Sequence, residues 1–92
     1  MCTNILEKTP IIGSGKGPTG WFKLKQANVF YDHPFHTPLE DALGIDFWNE
    51  ELGWEKRVTV ELSGKSARSL MTAIATALDR AESEFGLDTA TI

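Results

Sequence analysis

The chain has 92 residues, of which 41% are hydrophobic and 24% are charged, and its formal net charge is −4 at pH 7. This composition is typical of one small globular domain and argues against disorder. The Lys and Arg residues are scattered and form no run, so the basic stripe that nucleic-acid binding requires is missing. We therefore expect a single domain over residues 1–92 and no nucleic-acid partner.

The first residues of the chain bear on its compartment. Residues 1–8 lack the basic start and the apolar stretch of a signal peptide. No apolar run approaches the roughly 20 residues that span a bilayer. Cys2 is the single cysteine, so an internal disulfide is not expected, and nothing requires an oxidising compartment. We expect a cytoplasmic protein with no membrane partner.

Alternating apolar residues predict strands over the first two thirds of the chain. Residues 2–12 indicate an edge strand, because a proline within it cannot donate to a sheet ladder. The glycine-rich segment 13–20 is typical of a flexible loop. Residues 21–31 predict a second strand, whose apolar phase changes by one residue near Gln26, as a β-bulge would produce.

The middle of the chain predicts two further strands. Two prolines interrupt the segment at 32–38, and Leu39–Leu43 indicates a short turn of helix. Residues 43–48 and 57–62 alternate apolar with polar side chains. The loop at 49–56 between them predicts a hairpin.

A long amphipathic helix is predicted after the last strand. Ser63 is a favourable N-cap, Gly86 a plausible C-cap, and residues 87–92 are expected to fray. The apolar positions between the caps recur at a spacing of about 3.6 residues: Ala67, Leu70, Met71, Ile74, Ala77, Leu78, Ala81 and Phe85. The predicted fold class is α+β, with an antiparallel sheet of about four strands and one C-terminal helix packed on one face.

Both histidines lie on a loop that two prolines stiffen, which suggests a metal site. Imidazole and carboxylate groups are ligands that zinc and ferrous iron prefer. The predicted ligands are Asp32, His33 and His36, with Glu40 or Cys2 completing the shell. The alternative is structural, in that the His-Pro pair ends a strand and one imidazole bonds a backbone carbonyl. Because a second ligand pair is missing, the residues favour this alternative.

Two other motifs are incomplete. Removal of Met1 would expose Cys2 as an N-terminal nucleophile with its own amine as base, but such enzymes need a deep cleft. Burial at a strand end or at a partner surface is the ordinary fate of a lone thiol.

In the glycine-rich segment, glycine follows Lys16 where a P-loop needs serine or threonine, so no nucleotide site is predicted.

The three tryptophans, Trp21, Trp48 and Trp54, fall on the polar phase of their strands or in a loop. Amphipathic aromatic residues outside a core are enriched at interfaces. A helix on one face of a sheet also leaves the other face to be covered. We expect a partner or a second copy at these residues, with cover from within the same chain as the alternative.

Several strings in combination resemble a family of short bacterial proteins of unknown function that begin Met-Cys-Thr. They are Met-Cys-Thr at residues 1–3, Gly-Ser-Gly-Lys-Gly-Pro at 13–18, Gly-Trp-Phe at 20–22, Tyr-Asp-His-Pro at 31–34 with His36, Ile-Asp-Phe at 45–47, Val-Glu-Leu at 60–62 and Ser-Ala-Arg at 66–68. The resemblance covers nearly the whole chain. It implies a bacterial single-domain protein and carries no activity.

Three functions are compatible with the sequence. The favoured one is a small accessory or structural subunit that self-associates or docks on a larger enzyme, because the chain is short and lacks a complete catalytic set. The second is a metal-binding protein or small metalloenzyme that uses zinc or iron on the loop of His33 and His36. The third is a binding module for a small hydrophobic ligand between sheet and helix. Whether the protein is an enzyme stays open.

Overall fold

A computed structural model describes residues 5–86, which form four strands and one long helix. The strands are β1 (Ile5–Gly17), β2 (Gly20–Asp32), β3 (Ala42–Trp48) and β4 (Arg57–Leu62), and the helix is α1 (Gly64–Phe85). The strands pair in the order β1-β2-β3-β4, and every pair is antiparallel. This confirms the predicted α+β class, with a four-stranded antiparallel sheet and one C-terminal helix.

The predicted loop at 13–20 is wrong, because most of it belongs to the β1–β2 hairpin. Pairing extends to Gly17 opposite Gly20, and only Pro18 and Thr19 connect the strands. Glycine has a low intrinsic preference for strands, but a close approach can require it. A Cβ atom on Gly15 would lie 3.2 Å from the Leu24 side chain. Because Gly15 has no side chain, the Leu24 side chain of β2 can pack closely against it. Strand pairing therefore outweighs the low intrinsic preference of glycine for strands.

The predicted β-bulge lies at the expected level of the sheet, but its extra residue is in β1. Pro10 pairs with Gln26 and Gly13 pairs with Leu24, so three steps along β1 oppose two along β2. The change of apolar phase in β2 therefore lies where the β1–β2 register shifts, and β1 contributes the extra residue.

The segment between β2 and β3 contains bends and no helix. Ala42 and Leu43 are already part of β3, so the short helical turn predicted at Leu39–Leu43 is wrong. The N–H of Leu39 donates to the carbonyl of Thr37 at 2.8 Å, which forms a tight turn instead. Pairing of residue 42 with Asp32 across the sheet outweighs the weak local helix signal.

The sheet curls, so its two edge strands, β1 and β4, approach each other. The start of β4 contacts the far end of β1, and Lys56 Nζ donates to Thr19 Oγ1 at 2.8 Å. Leu24, Phe47 and Val58 lie together on the inner side of this curl, which we call the concave face. Residues one position away along each strand lie on the opposite side, which we call the outer face.

The hydrophobic core is small. The buried apolar residues are Phe22, Leu24, Ala27, Ala42 and Ala67, and no side chain in residues 5–86 is exposed by less than 2%. The radius of gyration is 14.9 Å, whereas a compact domain of this length has roughly 12 Å. A chain that buries so little apolar surface gains little stability from its own core.

Helix α1 begins and ends as the sequence predicts. Ser63 Oγ accepts the N–H of Ser66 at 3.1 Å, and Gly86 adopts a left-handed conformation with φ of 66° at the C-terminal end. The helix contacts β3 and β4, and Ala67 near its start is its one buried residue. Among the described residues, no helix is both long enough and apolar enough to cross a membrane.

Candidate functional site

The carboxylate of Glu61 holds the loop that carries both histidines. Its oxygens accept the backbone N–H groups of Phe35 at 2.8 Å, His36 at 3.0 Å and Thr37 at 2.9 Å. The Glu61 side chain is 13% exposed, and it reaches the loop from the outer face of β4. One carboxylate therefore satisfies three consecutive backbone donors and fixes the loop against the sheet.

These hydrogen bonds also set the protonation of Glu61. The bond from the Phe35 N–H, supported by those from Thr37 and His36, lowers the pKa of Glu61 to about 2, although removal from water opposes the change. A carboxylate with such a low pKa accepts a proton poorly near neutral pH. Glu61 is therefore suited to holding the loop and unsuited to acting as a general base.

The two histidines have different surroundings. His33 Nδ1 lies 2.8 Å from the carbonyl oxygen of Glu40, and because a carbonyl only accepts, the imidazole donates this bond. The backbone N–H of His33 donates to Asp32 Oδ1 at 2.7 Å. The His36 side chain is 91% exposed, and its Nδ1 lies 3.9 Å from Glu61 Oε2. The structural alternative for this loop, an imidazole bonded to a backbone carbonyl, is thus observed for His33.

The predicted metal ligands are only partly described. Within residues 5–86, no three His, Cys, Asp or Glu side chains are grouped so that they could hold a metal ion. Cys2, the fourth predicted ligand, lies outside the described residues. A zinc or iron site at Asp32, His33, His36 and Cys2 stays a prediction.

A cleft of about 590 Å³ lies beside the histidine loop on the outer face. On the floor of this cleft, the ring of Phe30 covers Gly44. On its wall, Asp46 accepts a hydrogen bond from Thr59 and lies 4.0 Å from Arg57 Nη1. Throughout residues 5–86, every buried polar side-chain atom has a hydrogen-bond partner. The polar groups on the wall of this cleft are therefore paired with one another, as buried polar groups with a structural role usually are.

A second cavity of about 510 Å³ opens between α1 and the concave face, and we call it the helix groove. The sheet wall consists of Val29, Tyr31, Leu43 and Ile45, and the helix wall of Gly64, Ala67, Arg68, Leu70, Met71 and Ile74. Both walls are mostly apolar. Only the start of α1 packs on the sheet. Beyond it the helix and the sheet diverge, and the space between the two walls is left unfilled.

Beyond Ala67, the large apolar residues of α1 remain exposed to solvent. Leu70 is 41% exposed, Met71 60%, Ile74 52% and Leu78 43%. Single exposed apolar residues are ordinary, but a contiguous apolar patch marks an interaction surface or a binding groove. The amphipathic pattern that the sequence predicts for α1 is therefore present, while its apolar stripe is only partly covered within the chain.

Comparison with known proteins places the chain in a family. The model of a family described as "Family of unknown function (DUF6295)" matches residues 1–86. The chain belongs to this family. Neither a curated protein nor a solved structure matches it. Membership agrees with the resemblance to an uncharacterised family and supplies no activity, so the function has to be inferred from geometry.

The tryptophans lie away from the helix groove. Trp48 follows Phe47 and so lies on the outer face, where its ring stacks on Trp54 with centroids 4.7 Å apart. The guanidinium of Arg57 lies 5.6 Å from the centre of the Trp54 ring. Trp21, near the tip of the β1–β2 hairpin, is 70% exposed. Trp48 and Trp54 therefore stack on each other while Trp54 stays 69% exposed, and the predicted tryptophan interface stays a prediction.

Glu61 is the site residue that the sequence did not single out. Alternation along β4 placed its side chain on the polar phase, where a solvated carboxylate is the usual expectation. Its partners lie 24 to 26 residues earlier in the chain. No local pattern predicts such an approach, because it depends on the β3–β4 register and on the path of the loop.

Proposed function

We propose that this protein is a small structural subunit that self-associates through the helix groove. The observation that carries the proposal is the groove itself, in which an apolar helix face and an apolar sheet face stand apart with space between them. A second copy that fills this space covers both walls at once.

The weak core supports the same proposal. Fully burying a Leu, Ile or Met side chain contributes about 1.5–3 kcal/mol. Leu70, Met71, Ile74 and Leu78 are each about half exposed, so roughly half of that contribution is still available from each side chain. In a symmetric dimer every such contact occurs twice. Domains of this size often obtain from a partner the burial that their own core lacks.

Sedimentation of the purified full chain tests the proposal directly. We expect a dimer at micromolar concentration, and we expect Ile74→Asp to be monomeric because it places a charge in the groove. The matched control is Thr76→Asp, which lies about 200° round the helix from residue 74 and should remain dimeric. Circular dichroism establishes that both variants keep the helix. A wild-type chain that is monomeric under these conditions contradicts the proposal.

Docking on a larger enzyme is the other form that a subunit role can take. Purification of the chain from its own cells distinguishes the two forms by native mass. An assembly of this chain alone supports self-association, whereas a complex in which one copy of the chain binds a different polypeptide through α1 replaces it with the docking role.

One observation favours the metal-binding alternative as a second candidate. A histidine that binds a metal generally donates its other ring N–H to a carboxylate or a backbone carbonyl, and His33 Nδ1 makes such a bond with Glu40. The Nε2 atom of His33 would then be a ligand, together with Asp32, His36 and Cys2. Isothermal titration with zinc should give one site per chain, and His33→Ala/His36→Ala should abolish it. Glu51→Gln, which lies on a different loop, is the control.

A further inference from the structure

The apolar residues of α1 are spaced symmetrically about Ile74. Leu70 and Leu78 lie four residues to either side of it, and Ala67 and Ala81 lie seven residues to either side. A turn of about 100° per residue places all five within a sector of roughly 80° on one face of the helix. A second α1 laid antiparallel across this face, with Ile74 against Ile74, therefore sets Leu70 of each copy opposite Leu78 of the other.

The charges beside this face are also arranged for an antiparallel pair. Arg68 lies beside the stripe near the start of α1, and Asp79 and Glu82 lie on the same flank near its end. When two helices are antiparallel and centred on Ile74, Arg68 of one copy is level with residue 80 of the other. It then lies between the second copy's Asp79 and Glu82. A parallel pair would instead place the two Arg68 side chains at the same level but on opposite flanks of the contact, away from the partner copy's Asp79 and Glu82.

The apolar sheet wall of the groove extends beyond the two strands that α1 contacts most. α1 contacts β3 and β4, and Val29 and Tyr31 continue the sheet wall of the groove onto β2. Ile5, which pairs with Tyr31 at the edge of this wall, is 53% exposed. Leu70 to Leu78, the exposed centre of the stripe, spans about 12 Å of the helix axis and is the part that a second helix can contact. Antiparallel packing also sets opposite ends of the two helix dipoles side by side.

We infer that the occupant of the helix groove is α1 of a second copy of this chain, antiparallel to the first and centred on Ile74. Arg68 of each copy faces Asp79 and Glu82 of the other. This inference rests on the proposed function, which requires self-association through the groove but no particular pairing of the helices.

Disulfide trapping in the full-length chain tests the pairing. Cys2 is first replaced by serine, and the variants are oxidised with a mixture of reduced and oxidised glutathione. Ile74→Cys should cross-link to itself. Leu70→Cys and Leu78→Cys should cross-link when mixed and much less when alone, because each faces the other across the two-fold axis. Thr76→Cys, on the far side of the helix, is the control that should stay uncross-linked.

Exchange of charges provides a second readout that does not depend on disulfide geometry. Arg68→Glu alone and Glu82→Arg alone each place like charges together twice per dimer, so each should weaken the dimer about tenfold. An equimolar mixture of the two variants restores opposite charges at both contacts and should recover the wild-type dissociation constant. In a parallel pair Arg68 does not face Asp79 and Glu82 of the other copy, so neither variant alone should weaken the dimer and mixing them should change nothing.

The outcomes separate this inference from the proposed function. A dimeric wild type whose Leu70→Cys and Leu78→Cys variants each cross-link to themselves overturns the antiparallel pairing and leaves self-association standing. A dimer in which the mixed charge variants fail to recover also overturns the pairing. A monomeric wild type, with or without a small apolar molecule retained in its native mass, overturns both.

Discussion

The aromatic ring of Phe30 lies over Gly44 on the neighbouring strand, where the two residues are directly paired. The ring occupies the space that a side chain at Gly44 would need, and it forms part of the floor of the outer cleft. The glycine is therefore required by a close approach across the sheet, since Gly44 itself has no left-handed backbone conformation.

Gly44→Ala should destabilise the protein by about 1–3 kcal/mol, because the added methyl group forces the Phe30 ring or the strand to move. The measurement is the free energy of unfolding from urea titration. Gly13→Ala is the matched control, since no atom lies within 4 Å of a Cβ at that glycine. Equal stability of the two variants would contradict this account of Gly44.

Glu61→Gln should loosen the histidine loop. The amide keeps one acceptor oxygen but loses the charge that strengthens the bonds to Phe35, His36 and Thr37. We expect faster amide hydrogen exchange at residues 35–37 and a lower urea midpoint. Glu51→Gln removes a carboxylate from an exposed ion pair with Lys25 and should leave both quantities almost unchanged. Unaltered exchange in Glu61→Gln would show that the charge does not hold the loop.

The pH dependence of stability should report the same carboxylate. The pKa of Glu61 is lowered from 4.5 to about 2 in the folded protein, so its stabilising effect is complete above pH 4.5. It is lost as the pH falls from about 4.5 towards 2, where the folded state also takes up the proton. Urea midpoints of wild type and Glu61→Gln should therefore differ at pH 6 and converge near pH 2. A constant difference across this range would contradict the assignment.

The N-terminal cap of α1 should contribute measurably to stability. Ser63→Ala removes the acceptor of the Ser66 N–H, and loss of such a cap typically costs about 1 kcal/mol. Urea unfolding monitored at the helical circular-dichroism band measures the effect. Ser69→Ala, an exposed substitution within the helix, should be neutral or slightly stabilising because alanine favours helices. A destabilisation by Ser69→Ala as large as that by Ser63→Ala would rule out a capping effect.

Trp21→Ala distinguishes the helix groove from the tryptophan interface that the sequence predicts. Trp21 lies near the hairpin tip and away from the residues that line the groove. If association occurs through the groove, the sedimentation of this variant should match that of the wild-type dimer. Dissociation into monomers with retained fold would support contact through the tryptophans instead.

The local patterns that predicted the fold correctly are those with a short-range physical cause. Period-two alternation identified residues 43–48 and 57–62 as strands, and the Ser63 and Gly86 caps bounded the helix. Side chains alternate between the two faces of a strand and recur on one face of a helix because of backbone geometry. These patterns do not depend on the rest of the chain.

The tertiary structure decided what depends on pairs of distant residues. Strand pairing drew Gly13–Gly17 into β1 against local preference, and Glu61 became the anchor of a loop about 25 residues away. The histidine loop owes its path to that anchor, and the apolar stripe of α1 is half exposed because the helix leaves the sheet after its first turns. The sequence determined which faces are apolar. How far those faces stand apart, and so whether a groove exists, follows only from the angle at which the helix leaves the sheet.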